Sequence, residues 1–346
     1  MIKLIKYFIK FLKTNINSYE ASPITKLNQI KHNDILLSIN TKNKTKEIFY
    51  IIKRTPGAGL FSNFIFVLNH IKIADSLGYK PIIDMENFPT IYNENKSINN
   101  TKNAWNYYFD NRKNYNLKKI LKNHRFIITS NRFSKSFSHT IDNNQFRMLF
   151  KKYFKINNNH LRFVEKFKKK FFLNKRIVAL HLRGTSNKTS ANHPFPITEK
   201  QTINVLDKLI KKNKYDKIFL CTEDLNYFNL IKKKFKNKII FLNKPYRSYK
   251  DDAFKRYPRK FHRYKLGKDI LIEALLISKC DSFIYTNSNV SKFVKFLDDK
   301  KVINYFLIEN GFNSSNAYIA KWLWYYKDIF PPLLGGFKDK TYVKKN

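Results

Sequence analysis

Acidic side chains are what this 346-residue chain most lacks: 25 aspartates and glutamates stand against 68 lysines and arginines, a formal net charge of +43. An excess of that size ordinarily points to a polyanionic partner, because lysine and arginine release the counterions of phosphates. Glycine (8) and tryptophan (3) are also scarce, while lysine, asparagine, isoleucine, phenylalanine and tyrosine abound, the bias that an AT-rich genome imposes whatever the function. No zinc-finger, RNA-recognition or helix-turn-helix signature accompanies the charge, so no specific nucleic-acid partner is expected. The two cysteines, Cys221 and Cys280, lack the spacing of a redox or zinc motif. They read as small apolar core residues in a reducing compartment, and with no secretory signal in view a cytoplasmic location is expected.

What remains is ample for a folded protein. Hydrophobic content of 43% and aromatic content of 16% over this length exclude wholesale disorder and suit two domains. Residues 1–13, MIKLIKYFIKFLK, set Lys3, Lys6 and Lys10 along one helical face against Ile2, Ile5 and Ile9. Such a helix is too short and too charged to span a bilayer. It suits an anionic membrane surface, or it docks on the protein's own core. Residues 14–46 are polar and read as an irregular lead-in, with ordered structure from Glu47.

From there the pattern is strand, loop, helix, strand: IFYIIK (48–53), a turn holding Gly57 and Gly59, a helix over 60–77, and KPIID to Asp84. Glycines at a strand-to-helix turn let a ligand approach the backbone, though a tight turn needs them equally. Asn63, one turn into the helix, is the polar side chain placed to face the same crevice. The cluster NAWNYYFD (103–110) offers Trp105, Tyr107 and Tyr108, either as stacking platforms for a sugar ring or as core. After a domain boundary near residue 165, strands and helices alternate strictly, which describes a parallel, doubly wound domain. The expected division is 1–46, a basic helix and lead-in; 47–165, a first domain; 166–310, a second; and 311–346, a C-terminal helix and tail.

Polar residues that interrupt apolar runs mark the candidate site. RIVALHLRGT (176–185) is a buried strand whose His181 and Arg183 share one face at its end, where an open α/β sheet binds ligands; a structural carboxylate is the other reading for Arg183. LIEALLISKC places Glu273 inside a helix that is apolar nearly all round. A carboxylate there needs a salt bridge, or a ligand with two adjacent donors such as guanine. TNSNVSKF starts a helix after a strand, with Ser288 or Asn289 as its cap, an arrangement that also attracts anions.

In order along the chain, PGAGLFSNF, HLRGT, HPFP (193–196), CTED (221–224), LIEALLISKCD and TNSNVS resemble the fucosyltransferase-like glycosyltransferases, the group containing the α1,6-fucosyltransferases and protein O-fucosyltransferases. The resemblance covers about residues 48–310. It implies an α/β fold of GT-B type, two Rossmann-like domains facing across a cleft. The implied activity is inverting transfer of fucose or a related deoxyhexose from a GDP-sugar to a surface glycan or lipid-linked glycan acceptor, with no cofactor and no metal. By the same resemblance Arg183 binds the β-phosphate and acts in catalysis, His181 helps hold the nucleoside, and Glu273 reads guanine. Ser288 and Asn289 complete the phosphate site, and Gly57, Gly59 and Asn63 close it from the first domain. One departure stands out: after HLRGT this chain has Ser186 and Asn187 where many relatives carry an aspartate, so no general base is assigned. Glu199, Glu223 and Asp224 are the acids nearby in sequence. A protein that binds nucleotide-sugar or glycan without catalysis is the alternative reading.

Overall fold

The computed structural model describes residues 16–19, 35–38, 47–54, 57–129, 141, 144–184, 186–250, 252–299, 303–337 and 343–345. The chain divides into two compact units, Met1–Asn157 and Asn158–Asn346. The basic helix expected over residues 1–13 lies outside the described residues.

The first unit is built on a five-stranded sheet. Its strands are β1 (Ile16–Tyr19), β2 (Ile35–Ser38), β3 (Ile48–Ile52), β4 (Lys80–Ile83) and, further along, β6 (Arg125–Ile128), in the order β1-β2-β6-β3-β4. β1 and β2 correct the expectation of an irregular lead-in before Glu47. They are short, and β2 gains its place by pairing antiparallel to β6, a contact with sequence-distant residues that local pattern does not reveal. Helix α1 (Leu60–Ser76) crosses from β3 to its parallel neighbour β4, and Tyr79 N–H closes its end on Ala74. β5 (Phe109–Asn111), α2 (Leu117–Asn123), β6 (Arg125–Ile128), α3 (Asn144–Tyr153) and β7 (Phe154–Ile156) complete the unit, β5 pairing antiparallel with β7. Trp105, Tyr107 and Tyr108 are core. Trp105 is 2% exposed, its ring 4.5 Å from that of Phe109 and stacked at 6.2 Å on Phe64, so none of these rings offers a face to a sugar.

The second unit opens with α4 (Asn158–Phe171), ahead of the boundary read near residue 165. That helix belongs here because Phe167 and Phe172 pack on Phe219 of the second sheet. There follow β8 (Ile177–Leu182), α5 (Glu199–Asn213), β9 (Lys217–Thr222), α6 (Leu225–Phe235), β10 (Ile239–Ile240), α7 (His262–Ile277), β11 (Ser282–Tyr285), α8 (Asn289–Leu297), β12 (Asn304–Ile308), α9 (Ala317–Ile329) and β13 (Val343–Lys345). The sheet order is β10-β9-β8-β11-β12-β13, parallel except for β13, which pairs antiparallel with β12 and ties the tail into this unit. Every residue of β8 is buried, as a central strand covered on both faces requires. Val178, Leu180 and Leu182 pack with Leu206, Ile218, Leu220, Tyr227 and Ile284 in one core. The N-terminal end of α5 is satisfied in advance by the sequence: Thr198 and Gln201 form a reciprocal capping box. Both cysteines are buried free thiols, and burial pushes both well above the ordinary thiol range.

Candidate functional site

The second sheet reverses direction at β8. The chain steps outward from β8 to β9 and β10, then returns through α7 to lay β11 and β12 on the other side. Helices on the two sides of such a reversal diverge, leaving a crevice at the carboxyl ends of the two strands that flank it. Those strands are β8 and β11, paired in register from Val178 with Ser282 to Leu180 with Ile284. Arg183 follows the last residue of β8, and Ser288 and Asn289 follow β11, so the topology itself brings them to one edge.

β9 contributes from the other flank of β8. Its register pairs Leu182 with Thr222, which sets Glu223 alongside Arg183. Glu223 Oε1 accepts the Gly184 N–H at 3.2 Å and fixes the turn after the strand. Burial raises the Glu223 pKa, while the Arg183 charge and the Gly184 N–H oppose the rise. The turn must be glycine for a steric reason. A Cβ on Gly184 would stand 2.2 Å from Asp224 Oδ2 and 2.7 Å from a ring carbon of Tyr227. Asp224 is itself committed: its Oδ1 accepts from Asn226 N and Tyr227 N at the start of α6, and its Oδ2 pairs with Lys188 Nζ at 3.3 Å. Lys188, in the turn Ser186–Lys188, lies over the rings of Tyr227 and Trp324 at 4.9 and 4.8 Å. Lys188 had no sequence signal, because its partner lies on another strand end.

His181 is buried, and burial together with the neighbouring Arg183 charge lowers its pKa to about 3. It is a neutral imidazole at working pH, with Nδ1 lacking a hydrogen-bond partner among the described residues. Glu273 is 5% exposed, and burial raises its pKa to about 8 against the opposing pull of Arg247. Among the described residues no salt bridge reaches it, and its Oε1 has no hydrogen-bond partner. The structural ion pair left open by the sequence is therefore not formed among these residues. Arg247, which sequence reading passed over inside a basic loop, instead donates from Nη2 to Leu242 O at 3.0 Å and stacks on Phe228 at 4.4 Å.

At the start of α8 the cap reading of Ser288 holds. Its Oγ accepts Ser291 N–H at 3.2 Å, and Ser291 Oγ accepts Ser288 N–H at 3.0 Å. This reciprocal box leaves the N–H groups of Asn289 and Val290 at the helix mouth without intrahelical acceptors.

Gly57, Gly59 and Asn63 belong to the first unit. Gly57 adopts φ +94°, a conformation that favours glycine, and Gly59 precedes the first residue of α1. Asn63 does not face open solvent: it is buried, its Oδ1 accepting from Arg54 Nε at 3.1 Å and its Nδ2 donating to Ala58 O at 3.4 Å. Asn63 positions Arg54, the residue that sequence reading missed. Arg54 also donates to Ser62 Oγ at 3.2 Å and lies over Phe66 at 4.4 Å, and burial lowers its pKa to about 10. Among the described residues no carboxylate pairs with it. The signal was present, since an arginine after the buried strand IFYIIK and ahead of a glycine turn repeats the pattern of Arg183 after β8.

Among the described residues no group of three or more histidines, cysteines or carboxylates could hold a metal ion, and no helix is long and apolar enough to cross a membrane. No protein-family model matches the chain, and no curated protein matches it. Solved structures to which it is similar include fucosyltransferases. One is NodZ from Bradyrhizobium, at 13% identity over 77% of this chain and 96% of that one, with a TM-score of 0.47. Others are POFUT1 in complex with GDP, at 11% identity over 72% and 94% with a TM-score of 0.41, and a mutant Arabidopsis thaliana FUT1 in complex with GDP, at 10% over 78% and 71% with a TM-score of 0.42.

Proposed function

We propose that the second unit binds a nucleoside diphosphate sugar, GDP-fucose or a related GDP-deoxyhexose, and that the protein transfers the sugar to a glycan acceptor, surface-bound or lipid-linked. The observation that carries this reading is the switch point, which sets Arg183 and the open N–H groups of α8 at the same edge. A guanidinium and a helix N-terminus at a strand end form an anion site of the kind a diphosphate fills. Glu273, with an unsatisfied buried oxygen, supplies what a base with two adjacent donors needs, and guanine presents an N1–H beside an exocyclic amine. His181, neutral and desolvated, lies near the end of β8, two residues before Arg183.

In the transfer, the bond between the sugar's anomeric carbon and the diphosphate oxygen breaks with its electron pair going to GDP. An acceptor hydroxyl attacks from the opposite face, which inverts the anomeric centre, and its proton is lost. Arg183 and the α8 N–H groups offset the charge that develops on the departing diphosphate, so the reaction as proposed needs no metal. Of the acids near the turn, Asp224 is tied to Lys188 and to the start of α6, and Glu199 is exposed at the start of α5. Glu223, at the open end of β9, is left to take the acceptor's proton.

Titration calorimetry with GDP, UDP and ADP tests the donor site. GDP is expected to bind most tightly, and Arg183→Ala to lose about 2 kcal/mol of GDP affinity, the worth of a charge-assisted hydrogen bond. Equal affinity for the three nucleotides, or for the variant and the parent, refutes the reading. With GDP-fucose and an acceptor, Glu223→Gln should lower turnover and leave GDP affinity intact. Binding without any turnover by the parent protein would favour a non-catalytic binding protein.

A further inference from the structure

Helix α9 wears its apolar face outward. Ala320 and Trp324 point into the unit, where Trp324 joins Phe195 and Phe337 in a small core and its Nε1 donates to Pro196 O at 3.4 Å. Asn316 caps the helix by accepting from Tyr318 N, and Asn313 Nδ2 holds Ala320 O at 2.9 Å. The helix is thus held in place along its inner side. On the outer side Tyr318, Trp322, Tyr325 and Ile329 recur at the spacing of one continuous helical stripe, widened by Ile319 and Tyr326, and all six are exposed. Tyr318 is 79% and Trp322 73% exposed. In the turn that follows, Pro332–Leu334, Leu333 is 97% exposed. Helices on a water-facing surface ordinarily turn charged residues outward, and this one turns aromatic and aliphatic residues outward instead.

We propose that α9 and the turn after it form a membrane-docking face that lies in the headgroup region of an anionic lipid bilayer. Tyrosine and tryptophan side chains suit that layer, because each has an apolar body and a polar end, and isoleucine and leucine reach past them into the acyl boundary. Charge selects the lipid over a second copy of the chain. A protein with a net charge of +43 is drawn to an anionic surface and repelled by its own kind. This inference is independent of the donor site and of residues 1–13.

The three tryptophans make the test specific, since Trp105 and Trp324 are buried and only Trp322 is exposed. The full-length protein is mixed with vesicles of phosphatidylcholine alone, or with equimolar phosphatidylglycerol, carrying brominated acyl chains. Binding to the anionic vesicles is expected with quenched emission; Trp322→Phe should abolish the quenching and keep the binding. Trp322→Ser combined with Ile329→Ser should lower the bound fraction by about tenfold or more, at unchanged circular dichroism. Binding without quenching would assign attachment to another surface and overturn the proposal, as would failure to bind anionic vesicles. A dimer in sedimentation velocity that the double serine variant dissociates would assign the face to a second copy instead.

Discussion

Glu273 shows how a single residue links folding to ligand binding. Its pKa of about 8, against 4.5 for an ordinary glutamate, means that the folded protein keeps a proton which the unfolded chain releases. The stability associated with this proton is therefore complete below about pH 4.5 and declines as pH rises to about 8, where the buried carboxylate ionises. Glu273→Gln should flatten that decline, which urea denaturation across the range will measure. On the proposed reading guanine donates two hydrogen bonds to the ionised form, so binding below pH 8 must release a proton. GDP affinity should then rise with pH toward about 8, and calorimetry in buffers of unequal ionisation heat should register the proton. Uptake instead of release would exclude a carboxylate acceptor. Glu273 and Arg183 stand out in the sequence because each interrupts an apolar pattern. The use of Asn63 was not, because its partner, Arg54, is set by the fold of the turn between them.

At the scale of elements, the start of α8 combines a structural duty with a proposed binding one. Ser288→Ala removes one half of the capping box and should lower stability by about 1 kcal/mol in equilibrium denaturation. Its effect on GDP affinity should be smaller than that of Arg183→Ala, because the N–H groups of Asn289 and Val290 remain. An equal or larger loss would mean that the Ser288 hydroxyl itself contacts the ligand. The strict alternation of strand and helix read for the second unit is what the structure shows, since α5, α6, β9 and β11 each carry an unbroken period. Exceptions have tertiary causes. Only Ile239 and Ile240 of the run KIIFLN pair with β9, and α7 begins at His262, ahead of its periodic stretch, where His262 Nε2 contacts Ala253 O at 2.8 Å. β1 and β2 have too little pattern of their own and depend on sheet neighbours.

For the whole molecule the dominant quantity is charge. With a net charge of +43 the compact state repels itself, and salt relieves the repulsion. Raising ionic strength from about 0.01 to about 0.15 M shortens the screening length from about 30 to about 8 Å, and the melting temperature should rise by several degrees. No rise would show that repulsion among these charges contributes little to the stability of the compact state. What the sequence determined by itself was everything carried by short range: the alternation of strand and helix, the buried run of β8, and the polar residues that end or interrupt apolar segments. Periodicity and polarity are properties of neighbours along the chain, so they can be read there. Only the tertiary structure decided that β8 lies between β9 and β11, which makes the end of β8 a switch point and puts Arg183 at the same sheet edge as the start of α8. It alone showed that among the described residues Glu273 has no ion pair, that Asp224 has one, and that α9 turns its aromatic face to solvent. Strand order, ion pairing and exposure depend on which distant segments pack together, and no local pattern encodes that choice.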